Sequence, residues 1–399
     1  MNRIFPAFAV LAAVIFAGCT GDVVDDGMRD LEKGRAALAA HDLKEASEAF
    51  AECARKNATN FEARISLALA CIELGSPRQA DQAAKEAVAL DPSSAEARLV
   101  EGESAYLVKD YARAKAAFNA VATTRDLPNA LRSQALASRA VVELASEGAD
   151  VARLSLFRAI RMDFKNAAAW YHLGVLSRGT FHFQAAAKDQ FEMACRLDPN
   201  SARTRETLRT ILPSIRDALA HLAADKPGAA KRNPGLAAKL LAEAASLAKK
   251  NARSALEKYE KAHEADPLSY EAAWSFAQAL AKSEPVWNSP KPEKGKPVDK
   301  AKIAAARARA VVAHVDRVLV AYRAALDAKP AKRDTCITAA RYALQNQRAK
   351  VACDFLSHAL AHFYDSKPVL DLYIEALGKL GTAEGSRKAR LYQAYRKEL

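Results

Sequence analysis

One pattern of small and apolar residues recurs every 34 positions, and it constrains this chain more than any other feature. Counted from Gly27 it places Gly34, Ala46, Phe50 and Cys53. From Phe61 it places Leu67, Ala68, Ala80, Ala84, Ala87 and Pro92, and from Ala95 it places Gly102, Ala114, Phe118 and Val121. After a short insertion around Pro128 it restarts at Ser133 with Ala140, Ala152, Leu156 and Ala159, then at Ala167, and in degenerate form at Ala202. It returns at Leu236 with Ala255, Tyr259, Ala262 and Pro267. A first helix over about Tyr270 to Ser283 follows, whose partner ends at Val318, Tyr322, Ala325 and Pro330. Further units begin near Arg333 (Ala340, Ala352, Leu356, Ala359) and near Lys367. A period of this length reads as a solenoid, in which each unit buries its apolar face only against its neighbours. Composition agrees: half the residues are hydrophobic but only 7% aromatic, which suits helices packed through small side chains.

The unit Ala167 to Pro199 carries the pattern most fully, with Trp170, Leu173, Gly174, Ala187, Phe191, Ala194 and Pro199. Gly174 and Ala187 are small where two helices cross closely, Trp170, Leu173 and Phe191 fill the seam, and Pro199 stops the second helix. This resembles the tetratricopeptide repeat, with W-x2-L-G in its first helix and A-x3-F-x2-A then P in its second. Ser177 stands where that family has Tyr, and the inter-helix loop is one residue longer. The resemblance implies an all-α, helix-turn-helix superhelical solenoid of about ten repeats, several degenerate, that binds protein partners without catalysis or cofactor. In that family the concave face is lined by first-helix residues one place after the Trp position and further along. Here those are Leu31, Ile65, Leu99, Ala137 and Tyr171, joined by Arg35, Leu69, Ile72, Tyr106 and Val175. A subfamily that grips C-terminal carboxylates has Lys and Asn in such places. Apolar side chains exclude that activity here and suit an extended or helical apolar segment. The alternative is that they pack inside a tight superhelix.

The N-terminus is a targeting segment. Arg3 precedes an uncharged apolar run, Ile4 to Ala17, too short for a bilayer span of roughly 20 residues. Ala17 and Gly18 then lead into Cys19. This resembles the lipobox of bacterial lipoproteins, with Phe16 where the family has Leu, and implies a signal peptide over 1–18 and a lipid on Cys19. Acyl chains contribute about 0.8 kcal/mol per buried methylene, so two or three anchor a protein durably. Thr20, in place of the Asp that retains lipoproteins at the inner membrane, implies the outer membrane, facing the periplasm. Residues 19–26, with Asp22, Asp25 and Asp26, then form an acidic tether. The alternative is an uncleaved anchor or a cleaved secretory signal.

Past the tether, 27–224 reads as an N-terminal array, 225–235 (DKPGAAKRNPG) as a hinge loop, and 236–399 as a second array. Four prolines and four lysines mark 284–300 as an extended or disordered insertion. Trp287 within it either docks on the array or anchors a partner. Charge is uneven: residues 1–225 hold 28 Lys+Arg and 29 Asp+Glu, whereas 226–399 hold 32 and 18. The basic half suits an anionic envelope polymer, glycan or lipopolysaccharide, or an acidic protein surface; outside the cytoplasm it excludes nucleic acid. No G-x-S-x-G, Walker loop, H-E-x-x-H or paired C-x-x-C occurs, so no catalytic, cofactor or metal residue is assigned. His358 and His362 lie one turn apart but lack a local third ligand. Most of Cys53, Cys71, Cys195, Cys336 and Cys353 fall where the repeat takes small apolar residues and read as buried thiols; the alternative is that Cys53 with Cys71, and Cys336 with Cys353, on adjacent helices, pair in an oxidising compartment. The reading is a non-enzymatic, lipid-anchored scaffold in envelope assembly or in secretion or pilus biogenesis, that context by fold-level analogy. A polymer-binding protein is the alternative.

Overall fold

The computed structural model describes residues 27–180, 183–224, 232–286 and 300–399, and all their regular structure is helical. The chain divides into two compact units, Met1–Phe181 with Asp189–Leu208, and His182–Lys188 with Arg209–Leu399. In the first unit α1 (Met28–Ala39) pairs with α2 (Leu43–Lys56), α3 (Phe61–Leu74) with α4 (Pro77–Leu90), and α5 (Ala95–Leu107) with α6 (Tyr111–Thr123). Next come α7 (Asn129–Ser146) with α8 (Ala149–Met162), and α9 (Ala167–Gly179) with α10 (Gln184–Leu197). Each second helix also packs on the following first helix, and α3, α5, α7 and α9 touch in series along one face.

The degenerate repeat at Ala202 is not a hairpin. It is one continuous run, α11 (Ala202–Glu206), a π-helical turn (Thr207–Ile211) and α12 (Leu212–Ala224). Pro213 accounts for it: proline lacks an N–H, and its ring would strike the carbonyl four residues back. A wide turn just before it relieves that conflict. The last boundary between the two units falls between Leu208 and Arg209, inside this turn. In the second unit α13 (Pro234–Leu247) pairs with α14 (Ala252–Ala265), α15 (Tyr270–Ala281) with α16 (Lys300–Ala328), α17 (Arg333–Gln345) with α18 (Ala349–Leu360), and α19 (Lys367–Lys379) with α20 (Ala383–Lys397). Residues 1–26, most of the expected hinge (225–231) and Trp287 with 288–299 lie outside the described residues.

Local chemistry sets the boundaries. Side chains of Asp42, Asn60, Ser94, Asp110, Asn166, Asn233, Asn251 and Ser269 each accept from the backbone N–H three residues on, so the first turns of eight helices are capped. The hairpin turns repeat as well. Backbone N–H groups of Asp42, Ser76, Asp110 and Arg348 donate to carbonyls five residues back. The residue before each is left-handed: His41, Gly75, Lys109 and Gln347 have φ of 61, 71, 63 and 59°. This is the Schellman closure, and only Gly75 is the residue it favours.

The seams follow the size pattern. A Cβ on Gly34 would lie 2.5 Å from the ring of Phe50, and one on Gly102 would lie 2.6 Å from Phe118; both rings are fully buried. Gly174 faces Phe191 in the same way at 3.0 Å. Repeats with Ala68 and Ala140 at the glycine place have Ala84 and Leu156 in place of the ring, so each seam balances volume across its two helices. Cys53, Cys71, Cys195, Cys336 and Cys353 are all buried thiols. Neither of the disulfides that the sequence allows is formed; the thiols act as small apolar residues in these seams.

Candidate protein-binding face of the N-terminal unit

The first helices α3, α5, α7 and α9 lie side by side, and Arg35 ties α1 to α3 through Glu62, so side chains at equivalent places of the five fall on one face. Leu31, Ile65, Leu69 and Leu99, four residues of the expected partner groove, are 2–6% exposed. Ile65 and Leu69 pack with Ala83, Ala84, Ala87, Ala97 and Val100, and Leu31 packs with Phe50, Cys53 and Ala63. These side chains hold adjacent hairpins together, as does Ala137, which is 1% exposed. The surface left on this face belongs to Ile72, Tyr106 and Tyr171, all half-buried, and to Val175, which is exposed.

Arg35 is on the same face but is already engaged. Its Nε and Nη2 both donate to Glu62 Oε1, at 2.9 and 2.5 Å, which ties α1 to α3 of the next hairpin. Tyr171 is framed at the other end of the unit: its ring meets Phe191 edge-on at 5.4 Å, and the Arg203 guanidinium lies over it at 4.6 Å. Tyr106 stands 5.9 Å from Tyr111, and burial pushes its phenol above the ordinary range. It therefore stays neutral. The face thus presents aromatic and aliphatic side chains rather than a charged cradle.

One residue of the face was passed over by reading for apolar side chains. Steps of 34 from Arg35 reach Leu69 and then Glu103, so the period itself points to Glu103 as part of the same row. It is 3% exposed.

Chemistry elsewhere is sparse. Among the described residues no group of three or more His, Cys, Asp or Glu comes together to hold a metal. His358 and His362 are 5.8 Å apart, and burial, His362 and Arg323 together push His358 down to about 4, so its imidazole is neutral. Burial raises the thiols of Cys336 and Cys353 to about 12 and about 11, leaving them un-ionised. Among the described residues no helix is long and apolar enough to cross a membrane.

No protein-family model matches the chain, and no curated protein sequence matches it. Solved structures do. MamA protein is 19% identical over 47% of this chain and 96% of its own, with a TM-score of 0.35. PilF of Pseudomonas aeruginosa is 16% identical over 51% and 93%, at 0.38. A tetratricopeptide repeat protein from Parabacteroides merdae is 12% identical over 89% and 100%, at 0.27. The fold assignment stands on the chain's own period. Its 34-residue hairpins, with a small residue of the first helix seating a larger one of the second, form an all-α solenoid with the architecture of the tetratricopeptide repeat.

Proposed function

We propose that this chain is a non-enzymatic scaffold that binds protein segments on the first-helix face of its N-terminal unit and is held to a bacterial envelope membrane by lipid on Cys19. The observation that carries the binding reading is the face itself: Tyr106, Tyr171 and Val175, with the uncovered part of Ile72, leave aromatic and aliphatic surface on stacked helices. Such a surface takes up an apolar or amphipathic segment at little conformational cost to the protein. Lipidation is supported by the sequence alone, through the apolar run ending in Ala17, Gly18 and Cys19. The outer membrane facing the periplasm, and a role in envelope assembly or in secretion or pilus biogenesis, extend that reading.

The charge excess of residues 226–399 favours one alternative, binding of an anionic glycan or lipopolysaccharide by the second unit. One experiment separates them. Crosslinking in intact envelopes, followed by recovery of the lipidated protein at low and then high salt, returns a discrete protein at high salt if the scaffold reading holds. Recovery of polymer alone, lost at high salt, transfers the function to the basic unit. Independently, Cys19→Ala releases the protein from membranes. A variant that stays membrane-bound overturns the anchor.

A further inference from the structure

Glu103 is a carboxyl group buried without a counter-ion. Its side chain makes no hydrogen bond or ion pair among the described residues and is only 3% exposed. It lies on α5 with Leu99 four residues before and Tyr106 three after, so the three form one stripe of that helix. In α1 the equivalent position is Arg35, whose charge is answered across the hairpins by Glu62. In the repeat that follows α5, the place of Glu62 is taken by Gln134, which has no charge to offer. The helices packed on α5 are α3, α4, α6 and α7. The charged group among them that acts on Glu103 is Glu73 of α3, which has the same sign.

Leu69 and Val175 show that an aliphatic side chain fits this place in other repeats. A buried acid facing a second acid, with no donor among the described residues, is costly as a carboxylate and stays protonated until a cation arrives from outside to answer its charge. We infer that Glu103, flanked by Leu99 and Tyr106, is the recognition point for a lysine or arginine side chain carried by an otherwise apolar protein segment. This rests on the reading of the first-helix face as a protein-binding surface and adds the partner's charge to it. Burial and Glu73 push the free carboxyl up to about 8. Near neutral pH the free face therefore holds a neutral acid, and the arriving cation draws a carboxylate from it while the proton passes to solvent. The stem of the incoming side chain packs on Tyr106. Desolvated charge pairs of this kind contribute strongly when both partners are present.

The test is a selection of random 12-residue peptides displayed on phage against the detergent-solubilised full-length protein, run in parallel on Glu103→Gln and Glu103→Leu. Both variants remove a buried acid, so both fold at least as stably as the parent, which thermal unfolding checks. The expected result is enrichment of one Lys or Arg among apolar residues. Those peptides should bind Glu103→Gln at least about tenfold more weakly. Their affinity for the parent should rise with pH up to about 8, a dependence absent from both variants. Peptides without a basic position, or with affinity indifferent to Glu103→Gln, overturn the inference and leave the binding face standing. Failure of the parent to select any peptide overturns the face together with it.

Discussion

Gly102 shows how narrowly one residue decides the packing of a repeat. Its missing Cβ is the space that the Phe118 ring occupies, and the ring is fully buried with no room to yield. Gly102→Ala should lower unfolding stability in urea by about 1–3 kcal/mol. Adding Phe118→Leu should recover much of that, because Ala140 with Leu156 already forms such a pair. This seam was legible in the sequence, since glycine and phenylalanine keep the 34-residue phase. Burial of Glu103 was not, because polarity in a sequence says nothing of what stands opposite. Its ionisation carries a testable sign. Folding raises the carboxyl from the ordinary 4.5 to about 8, so the folded state holds a proton that the unfolded state has lost. Stability therefore falls as pH rises from about 4.5 to about 8 and is flat beyond. Chemical denaturation of Glu103→Gln across this range should lack that decline; an unchanged slope would show that another group causes it.

At the scale of the element, the turns repeat more faithfully than the letters in them. His41, Lys109 and Gln347 take the left-handed conformation that glycine holds at Gly75 and Gly381. The five-back hydrogen bond fixes the turn, and the side chain accepts the strain. Lys109→Gly should therefore be neutral or stabilise by up to about 1 kcal/mol, and Gly75→Val should destabilise by about 1–2 kcal/mol, both read from denaturant midpoints. No sequence pattern marks these residues, because the constraint comes from two helices meeting at a fixed angle. The length of α16 was also hidden. The sequence reading set its C-terminal end near Pro330, and the helix begins at Lys300, its first half rich in alanine and arginine, which favour helix without a core. Val315, Val318, Leu319, Tyr322, Ala325 and Leu326 are buried, while the residues before His314 are mostly exposed. Arg307→Pro should then unravel the leading turns with little loss of global stability. Ala321→Pro, at a buried position, should cost about 3 kcal/mol or more. Equal losses would show that the leading half is integral to the fold.

Across the whole molecule, the two units carry buried titratable groups of opposite sensitivity. Glu103 in the first is lifted, and His358 in the second is lowered, by the same cause, removal from water. For His358 the unfolded chain binds a proton below about 6.5 that the folded imidazole refuses until about 4, so that contribution to stability fades as pH falls through this range. Charge counting along the sequence separates a balanced first half from a basic second half, but it cannot find these two groups, whose effect depends on burial. They serve as reporters of cooperativity. In a repeat array each hairpin is stabilised chiefly by its neighbours, and unfolding divides where neighbour contacts are weakest. The division between Leu208 and Arg209 falls at the π turn, the one described repeat without a hairpin. Two denaturation transitions are therefore expected, followed by hydrogen exchange resolved along the chain. Glu103→Gln should alter the pH dependence of exchange only in the first unit, and His358→Gln only in the second. If either substitution moves the slopes of both units equally, the π turn transmits stability as fully as a paired repeat would, and the array unfolds as one body.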